Sequence, residues 1–310
     1  MVKKEKLAIV IPYYKLDYFR ETLLSIRNQT NQNFNLYIGN DCSPNNPNIL
    51  IEEFNDIITE YKLYNDNIGG INLNKHWNRS IDDLVRNEEW IMVLCDDDFL
   101  DETCVNEFYN HINEINDLGI NVIRYATRIV NQNNSLILNE FNRNKKIEAS
   151  IHLFEEKILE TTRSSLSEYI FSVEAYKKNK FKSFECSFGS DNVAWLEFSD
   201  FKSIYCINNC FIYYRNSELS VSGNPTLKGK KMLGEIQYLK YLIKNYKNKF
   251  SKNTQFLLYE RYYHYFRSLY NKRALIKTTI LILKMIHNLG LDTTIKIIKN
   301  NKNYFKKLYS

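Results

Sequence analysis

Hydrophobic positions fall in short runs that alternate with amphipathic stretches through the first hundred residues. "KLAIVIPYY" (6–14) is apolar without interruption up to Pro12, the pattern of a strand buried on both faces. "LDYFRETLLSIRNQ" (16–29) follows, with Leu16, Phe19, Leu23, Leu24 and Ile26 at near-helical spacing. "FNLYIGNDCS" (34–43) predicts a second strand that runs into turn residues. "PNILIEEFNDII" (47–58) opens on Pro47 and predicts a helix. A third strand is expected at "YKLYND" (61–66), a helix at "INLNKHWNRSIDDLV" (71–85) and a fourth strand at "EWIMVLC" (89–95). This alternation predicts βαβ units, a mainly parallel sheet and the α/β class.

Ligands of open α/β sheets collect at the carboxyl ends of the strands. That rule places Pro12–Tyr14, Asn40–Ser43, Asp66–Gly70 and Asp96–Asp98 on one rim. In "VLCDDDFLDE" (93–102) three consecutive aspartates leave the fourth apolar run. Adjacent carboxylates repel and raise one another's pKa unless a cation sits among them. The triplet is therefore either an acidic cluster favoured at a helix N-terminus or a cation site. Beyond it, a helix is expected at 101–117 and a strand at 120–130, while 131–165 is polar and lacks a clear period. "SVEAYKK" and "GSDNVAWLEFSD" predict short helices, and "FKSIYCINNCFIYYR" (201–215) predicts strands. From about 230 onward apolar and basic residues interleave with helical spacing.

Charge divides the chain. Residues 228–310 carry 19 Lys/Arg against 3 Asp/Glu, whereas 1–227 carry 23 against 33. The expected organisation is an acidic globular domain over 1–227, with 1–105 and 106–227 as its halves, and a basic helical region over 228–310. Cys42, Cys95, Cys104, Cys186, Cys206 and Cys210 lack the paired spacing of a zinc site. No secretory leader precedes the first apolar run, and "TTILILKMI" (278–286) is too short to span a bilayer. These features predict a reduced, cytoplasmic protein. The basic amphipathic tail suits an anionic membrane surface, or it packs on the body or on a second subunit of an oligomer. Nucleic acid is not an expected partner, since no recognised motif accompanies the charge.

"VIPYYK", "YIGNDCSPNN", "NDNIGGINLNKHWNRSI" and "VLCDDDFL", in that order and spacing, resemble the nucleotide-binding half of family 2 glycosyltransferases. The resemblance implies a GT-A, Rossmann-like fold, an inverting transfer and a UDP-sugar donor. Its acceptor is a glycan or a lipid-linked sugar, in bacterial surface-polysaccharide or glycolipid assembly on the inner face of the membrane. It also implies Mn2+ or Mg2+, whose charge neutralises the donor diphosphate through hard carboxylate oxygens. Asp98 with Asp96 would hold the metal, and Asp96 or Asp97 the ribose. Pro12, Tyr13 and Tyr14 would lie against the base or ribose, with core packing as the alternative. Asp41 would accept from the base, although Asn40 stands where the family usually has a first aspartate, and turn formation is the rival reading. Gly69 and Gly70 allow a close backbone approach, Asn67 would bond base or ribose, and Arg79 or Lys75 would balance phosphate charge. His76 is expected at the surface.

The resemblance further implies a general base in an acidic pair at the start of a short helix. Asp191 fits, with Ser190 in place of its acidic neighbour, helix capping as the alternative role, and Glu197 and Asp200 as fallbacks. Arg215 would serve the leaving diphosphate, with Asn216 or Ser217 where the family often has His. No Gln-x-x-Arg-Trp occurs, which favours a single sugar addition over a processive synthase. A sugar-phosphate nucleotidyltransferase would want a Gly-rich, Arg-containing loop after the first strand, and "PYYKLDYF" has none. Asn40 and Ser190 leave one rival from another class, a non-catalytic nucleotide-sugar-binding or scaffold protein with a decayed site.

Overall fold

The uninterrupted apolar run near the start becomes β1 (Leu7–Tyr13), buried at every position in the computed structural model, which describes residues 6–143, 145–270 and 275–308. β2 (Phe34–Asn40) and β4 (Trp90–Val93) flank it in parallel, and β3 (Ile58–Leu63) adds in parallel beyond β2. Leu7, Ile9, Ile11 and Tyr13 join a core with Phe19, Leu23 and Ile26 of α1 (Phe19–Arg27) and Phe108 and Ile112 of α4 (Cys104–Asp117). On β2, α3 (Gly69–Leu84) packs so closely that a Cβ on Gly39 would lie 2.4 Å from Ser80 Oγ. Strands covered in this way show no alternation, because neither face has room for polar side chains.

Among the described residues the strands form one ten-stranded sheet ordered β3-β2-β1-β4-β9-β6-β10-β5. β9 (Tyr169–Ser172) runs antiparallel between β4 and β6 (Val122–Val130). β10 (Ser203–Arg215) is parallel to β6, with a register shift between Ile207 and Phe211, and β5 (Phe99–Leu100) pairs with its last third. β7 (Leu136–Phe141) and β8 (Ile147–Ala149) pair with β6 and β10. The fold is thus the expected α/β class, with a parallel β3-β2-β1-β4 half.

Several elements differ from their sequence pattern. The third strand ends at Leu63 instead of continuing to 66, and α2 (Asn48–Glu53) stops early, because Ile57 and Ile58 lead into β3. β9 and β5 were not expected. At four and two residues they are too short for periodicity to register, although β9 is buried throughout. The ambiguous 131–165 stretch holds β7, β8 and α5 (Ser150–Ile158). α6 (Val173–Asn179) is capped by Ser172 Oγ, which accepts from Ala175 N–H, and α7 (Ser190–Phe198) follows the expected "GSDNVAWLEFSD" segment.

The chain divides into two compact units, Met1–Ser183 with Ser190–Asn224, and Phe184–Gly189 with Pro225–Ser310. The second is helical: α8 (Lys228–Tyr246), α9 (Lys252–Tyr270), α10 (Leu275–Leu289) and α11 (Leu291–Leu308). Ile236, Tyr259, Tyr263, Phe266, Leu281, Met285 and Ile297 form its core. Among the described residues, no helix is long and apolar enough to cross a membrane.

One buried ion pair ties β6 to the 3-10 turn Leu166–Glu168 ahead of β9. Arg124 Nε donates to Glu168 Oε1 at 2.8 Å, and Thr127 and Ser165 hydroxyls donate to Oε2 at 3.0 Å. Arg163 also reaches Glu168 Oε2 at 3.4 Å, so loss of Arg124 removes the shorter contact and leaves the buried carboxylate with a weaker partner, a loss of about 3 kcal/mol, the low end for a broken buried pair. Arg124→Met is therefore expected to lower the unfolding free energy obtained from urea titration by about that amount. A change below about 1 kcal/mol would refute this role for the pair.

Candidate active site

Parallel register levels the ends of three strands, since Tyr13 pairs with Asn40 and Asn40 with Leu63. β4 leaves the ladder at Val93, opposite Val10, and the chain beyond it climbs to set Asp96 beside Tyr14. The three aspartates then aim at three different partners. Asp96 Oδ2 accepts from the backbone N–H groups of Tyr14 (2.8 Å) and Lys15 (2.7 Å). Asp97 Oδ2 receives the Lys15 ammonium at 3.2 Å, and the same ammonium donates to the Leu219 carbonyl at 3.0 Å. Asp98 Oδ1 accepts from the Arg215 backbone N–H (2.9 Å), and its Oδ2 from the Ser167 hydroxyl (2.6 Å).

All three are buried, and the cost shows in their protonation. Burial first, then the neighbouring Asp97 charge, pushes Asp96 up to about 6 and Asp98 up to about 7. Cys95, Asp97 and Asp98 offer a sulfur and two carboxylate oxygens within 4.8 Å of one another. A hard divalent cation fits the two carboxylates. The Cys95 thiol is pushed well up by burial and by the same acids, which disfavours its thiolate. Of the expected metal pair, Asp96 and Asp98, one member belongs to that cluster. Asp98 lies in this cluster, but Asp96 is tied to the β1 side by two amides, and Asp97 takes its place.

A second acid hub forms at Asp41. Its Oδ2 accepts from Gly69 N–H at 2.7 Å, and its Oδ1 from Ile68 N–H at 3.2 Å and Arg79 Nη2 at 2.5 Å. Burial raises the Asp41 pKa against the opposing pull of those amides and of Arg79. A Cβ on Gly69 would sit 2.4 Å from Asp41 Oδ2, so only glycine lets this amide reach the carboxylate. Asn67 Oδ1 accepts from Gly70 N–H at 2.7 Å and caps the start of α3.

Several expected site residues point elsewhere. The Tyr13 ring is in the core, 4.5 Å from Phe19, and its hydroxyl donates to the Asn45 carbonyl; burial pushes its pKa up to about 12. Pro12 is buried in β1 opposite Gly39, so Tyr14 alone of the three presents an exposed ring. Arg79 spends its charge on Asp41 and Asp66 (2.5 Å) while lying 3.8 Å over the Tyr64 ring, which leaves exposed Lys75 as the uncommitted cation of that pair. Arg215 is 1% exposed: Nε donates to the Asp97 carbonyl, Nη1 to Asn134 Oδ1 and Nη2 to Glu21 Oε2. It braces the acid loop from behind. His76 is buried, not at the surface; Nε2 lies 3.1 Å from the Gly39 carbonyl and Nδ1 3.3 Å from Asp41 Oδ1. Burial and the Arg79 charge lower its pKa to about 4, so it is neutral at neutral pH.

Asp191 stands in the first turn of α7, half-buried. Burial pushes its carboxyl up to about 6, against the pull of Lys157 and the Asn192 N–H. Ser190, in place of the second acid, donates to Asn74 Oδ1 at 3.1 Å and pins the helix start to α3. Of the fallbacks, Glu197 is buried 3.6 Å from Lys182, and Asp200 is exposed after the helix. Asn216 donates its backbone N–H to the Val130 carbonyl, and Ser217 is buried. Lys15 and Ser167 escaped the sequence reading. Lys15 was legible as the lone cation of the first βα turn, on the rim that carries the acids; Ser167 gives no local signal.

Carboxylates gathered at the ends of parallel strands, with an acid of raised pKa on a following helix, mark a candidate ligand-binding and catalytic site. The chain belongs to the family "Glycosyl transferase family 2", whose model matches residues 8–193, and is a glycosyltransferase. It is similar in fold to S. aureus TarS 1–349 in complex with UDP-GlcNAc: TM-score 0.60 and 14% identity, over 97% of this chain and 92% of that one. It is also similar to the mannosyltransferase PcManGT from Pyrobaculum calidifontis in complex with GDP-Man and Mn2+. There the TM-score is 0.56 and identity 9%, over 99% of this chain and 83% of that one. A sequence comparison with curated proteins returns no match.

The shifted pKa values set a sign for pH dependence. Between about pH 4 and 6 the folded chain holds protons on Asp96, Asp98 and Asp191 that the unfolded chain has lost, and lacks one on His76 that the unfolded chain keeps. The folded state binds more protons on balance, so stability falls as pH rises toward 7. Metal-free protein is expected to melt lower at pH 7.5 than at pH 5.5, with Mn2+ restoring more at pH 7.5, where the carboxylates are ionised. Equal Mn2+ stabilisation at both pH values, measured by differential scanning calorimetry, would contradict the cation site.

Proposed function

We propose that the chain is an inverting, metal-dependent glycosyltransferase that moves one sugar from a UDP-sugar to a hydroxyl of a glycan or lipid-linked acceptor. The observation that carries this reading is the pairing of two features in one unit. These are an acid cluster at the end of β4 whose charge is not fully met by the protein, and Asp191, raised to about 6 at the start of α7. A carboxyl near that value is a stronger base than a free aspartate and remains ionised at neutral pH.

The chain's own groups divide the task. Tyr14 offers its exposed ring to the base or ribose. Asp41, set by Gly69 N–H, keeps acceptor capacity on Oδ2 for the N–H of uracil, and the Asn67 side-chain amide lies beside it at the start of α3. Asp96 faces the β1 end, where the ribose is expected, with Tyr14 and Lys15 amides fixing its angle. Asp97 and Asp98 would hold the divalent cation, whose charge neutralises the donor diphosphate. Lys15 adds a fixed positive charge at the same corner. Asp191 takes the acceptor hydroxyl proton as that oxygen bonds to the anomeric carbon. The bond from that carbon to the diphosphate oxygen breaks, and UDP leaves with the electron pair. Arg215 and Ser167 act as positioning residues that hold the acid loop. The basic helical unit supports a lipid-linked acceptor and a setting in bacterial surface-polysaccharide or glycolipid assembly.

A nucleotide-sugar screen for metal-dependent UDP release tests the reading. Turnover is expected with at least one UDP-sugar, to fall by about 10²–10⁴ in Asp191→Asn with UDP binding kept, and to vanish with metal binding in Asp98→Ala. Retained turnover in Asp191→Asn would remove the base assignment. UDP and Mn2+ binding with no transfer or hydrolysis of any donor would instead support a binding protein.

A further inference from the structure

Within the second unit, α8, α9 and α10 enclose a trough of about 600 Å³, inside the range of roughly 300–1,000 Å³ typical of small-molecule pockets. Its floor is apolar and aromatic, with Ile236, Phe266 and Leu281 from the unit's core beside Tyr262 and Tyr270. Its walls carry five lysines, Lys240, Lys244, Lys247, Lys277 and Lys284, and no Asp or Glu lines it. Two of these lysines are held in place. Lys247 Nζ donates to Asn288 Oδ1, and the Lys277 ammonium lies 5.2 Å from the Tyr270 ring. Of the unit's acids, Glu260 accepts from Asn300 of α11 at 2.8 Å and Glu235 meets the Tyr238 hydroxyl. Along α10, Ile280 lines the trough and is itself half-exposed.

This combination makes two demands at once. Five like charges converging on one trough call for an anionic occupant. The Ile, Leu and Phe floor offers nothing to a fully solvated anion and gains from an apolar chain, about 0.8 kcal/mol per buried CH2. We propose that the trough binds a lipid phosphate, its hydrocarbon chain along the floor and its phosphate among the lysines. This goes beyond the donor site and does not depend on the transferase reading, because binding alone reports it.

Isothermal titration calorimetry of the full chain with short-chain phosphatidic acid, below its micellar concentration, tests the proposal. Saturable binding is expected, with dioctanoylglycerol (chain without phosphate) and glycerol 3-phosphate (phosphate without chain) at least about tenfold weaker. The combined Lys240→Glu, Lys244→Glu and Lys277→Glu variant should lose more than about tenfold in affinity. The control variant, Lys228→Glu with Lys230→Glu and Lys252→Glu, makes the same charge change outside the trough and should keep it. Ile280→Asn, at a half-exposed lining position, should weaken phosphatidic acid several-fold with its melting temperature unchanged. Equal losses in the two lysine variants would reduce the effect to diffuse charge and overturn the proposal. So would unaltered binding in Ile280→Asn, or polyphosphate binding as tightly as phosphatidic acid, which would mark a polyanion site.

Discussion

Three consecutive carboxylates emerging from a buried strand repel one another, and the rest of the nucleotide side is arranged around that repulsion. At about 4 Å and an effective dielectric near 20, each like pair costs on the order of 4 kcal/mol. The chain lowers this cost by aiming the three groups apart. Asp96 turns to the amides that follow β1, Asp97 to the Lys15 ammonium, and Asp98 to Ser167 and the backbone of Arg215. Each partner comes from a distant part of the sequence, so the repulsion itself stitches β1, β4, β10 and the turn before β9 into one corner. Arg215 completes the arrangement from beneath through the Asp97 carbonyl, and Thr22 of α1 donates to the Asp98 carbonyl at 2.8 Å.

The same logic governs Asp41 on the neighbouring strand end, with a different solution. There a single carboxylate gathers two amides, a guanidinium and a neutral imidazole. The amides and the guanidinium fix its direction and offset part of the burial cost, whereas three acids share the β4 corner. Two adjacent sites on one rim thus present different faces to a ligand, one a positioned acceptor and the other a deficit of positive charge. A nucleoside diphosphate, with hydrogen-bond donors at one end and anionic oxygens bound to a cation at the other, matches that order.

The sequence disclosed residue types and strand ends but not directions. Apolar runs, their alternation with helices and the acids at their ends gave β1, β2, β4 and the rim. Directions at a strand end depend on register with neighbours, which no local pattern encodes. Tyr13 and Tyr14 are chemically equivalent in the sequence, yet pairing of Tyr13 with Asn40 commits its ring to the core and leaves Tyr14 outside. Arg79, Arg215 and His76 were open to a ligand-facing or surface role because their partners, Asp41, Glu21 and Gly39, lie 38, 194 and 37 residues away. β9 was hidden for a related reason. Four buried residues in a central antiparallel position carry neither period nor length, and only the gap between β4 and β6 calls for them.

Overall charge sharpens the role of the rim. Residues 1–227 carry ten more acids than bases, so at long range an anionic donor meets a repulsive body. Salt screens that field within about 8 Å at physiological ionic strength, which leaves the outcome to groups in the corner itself. There the positive contributors are the Lys15 ammonium and backbone amides, against Asp96, Asp97 and Asp98. One ammonium does not balance three carboxylates, and part of the imbalance is met by protons, as the raised pKa values of Asp96 and Asp98 record. Near neutral pH those protons leave as the acids ionise, and the corner turns more negative in the range where a diphosphate must dock. A divalent ion would cancel the two remaining negative charges in one step. On the proposed reading a cation would be a condition for donor binding rather than a refinement of catalysis.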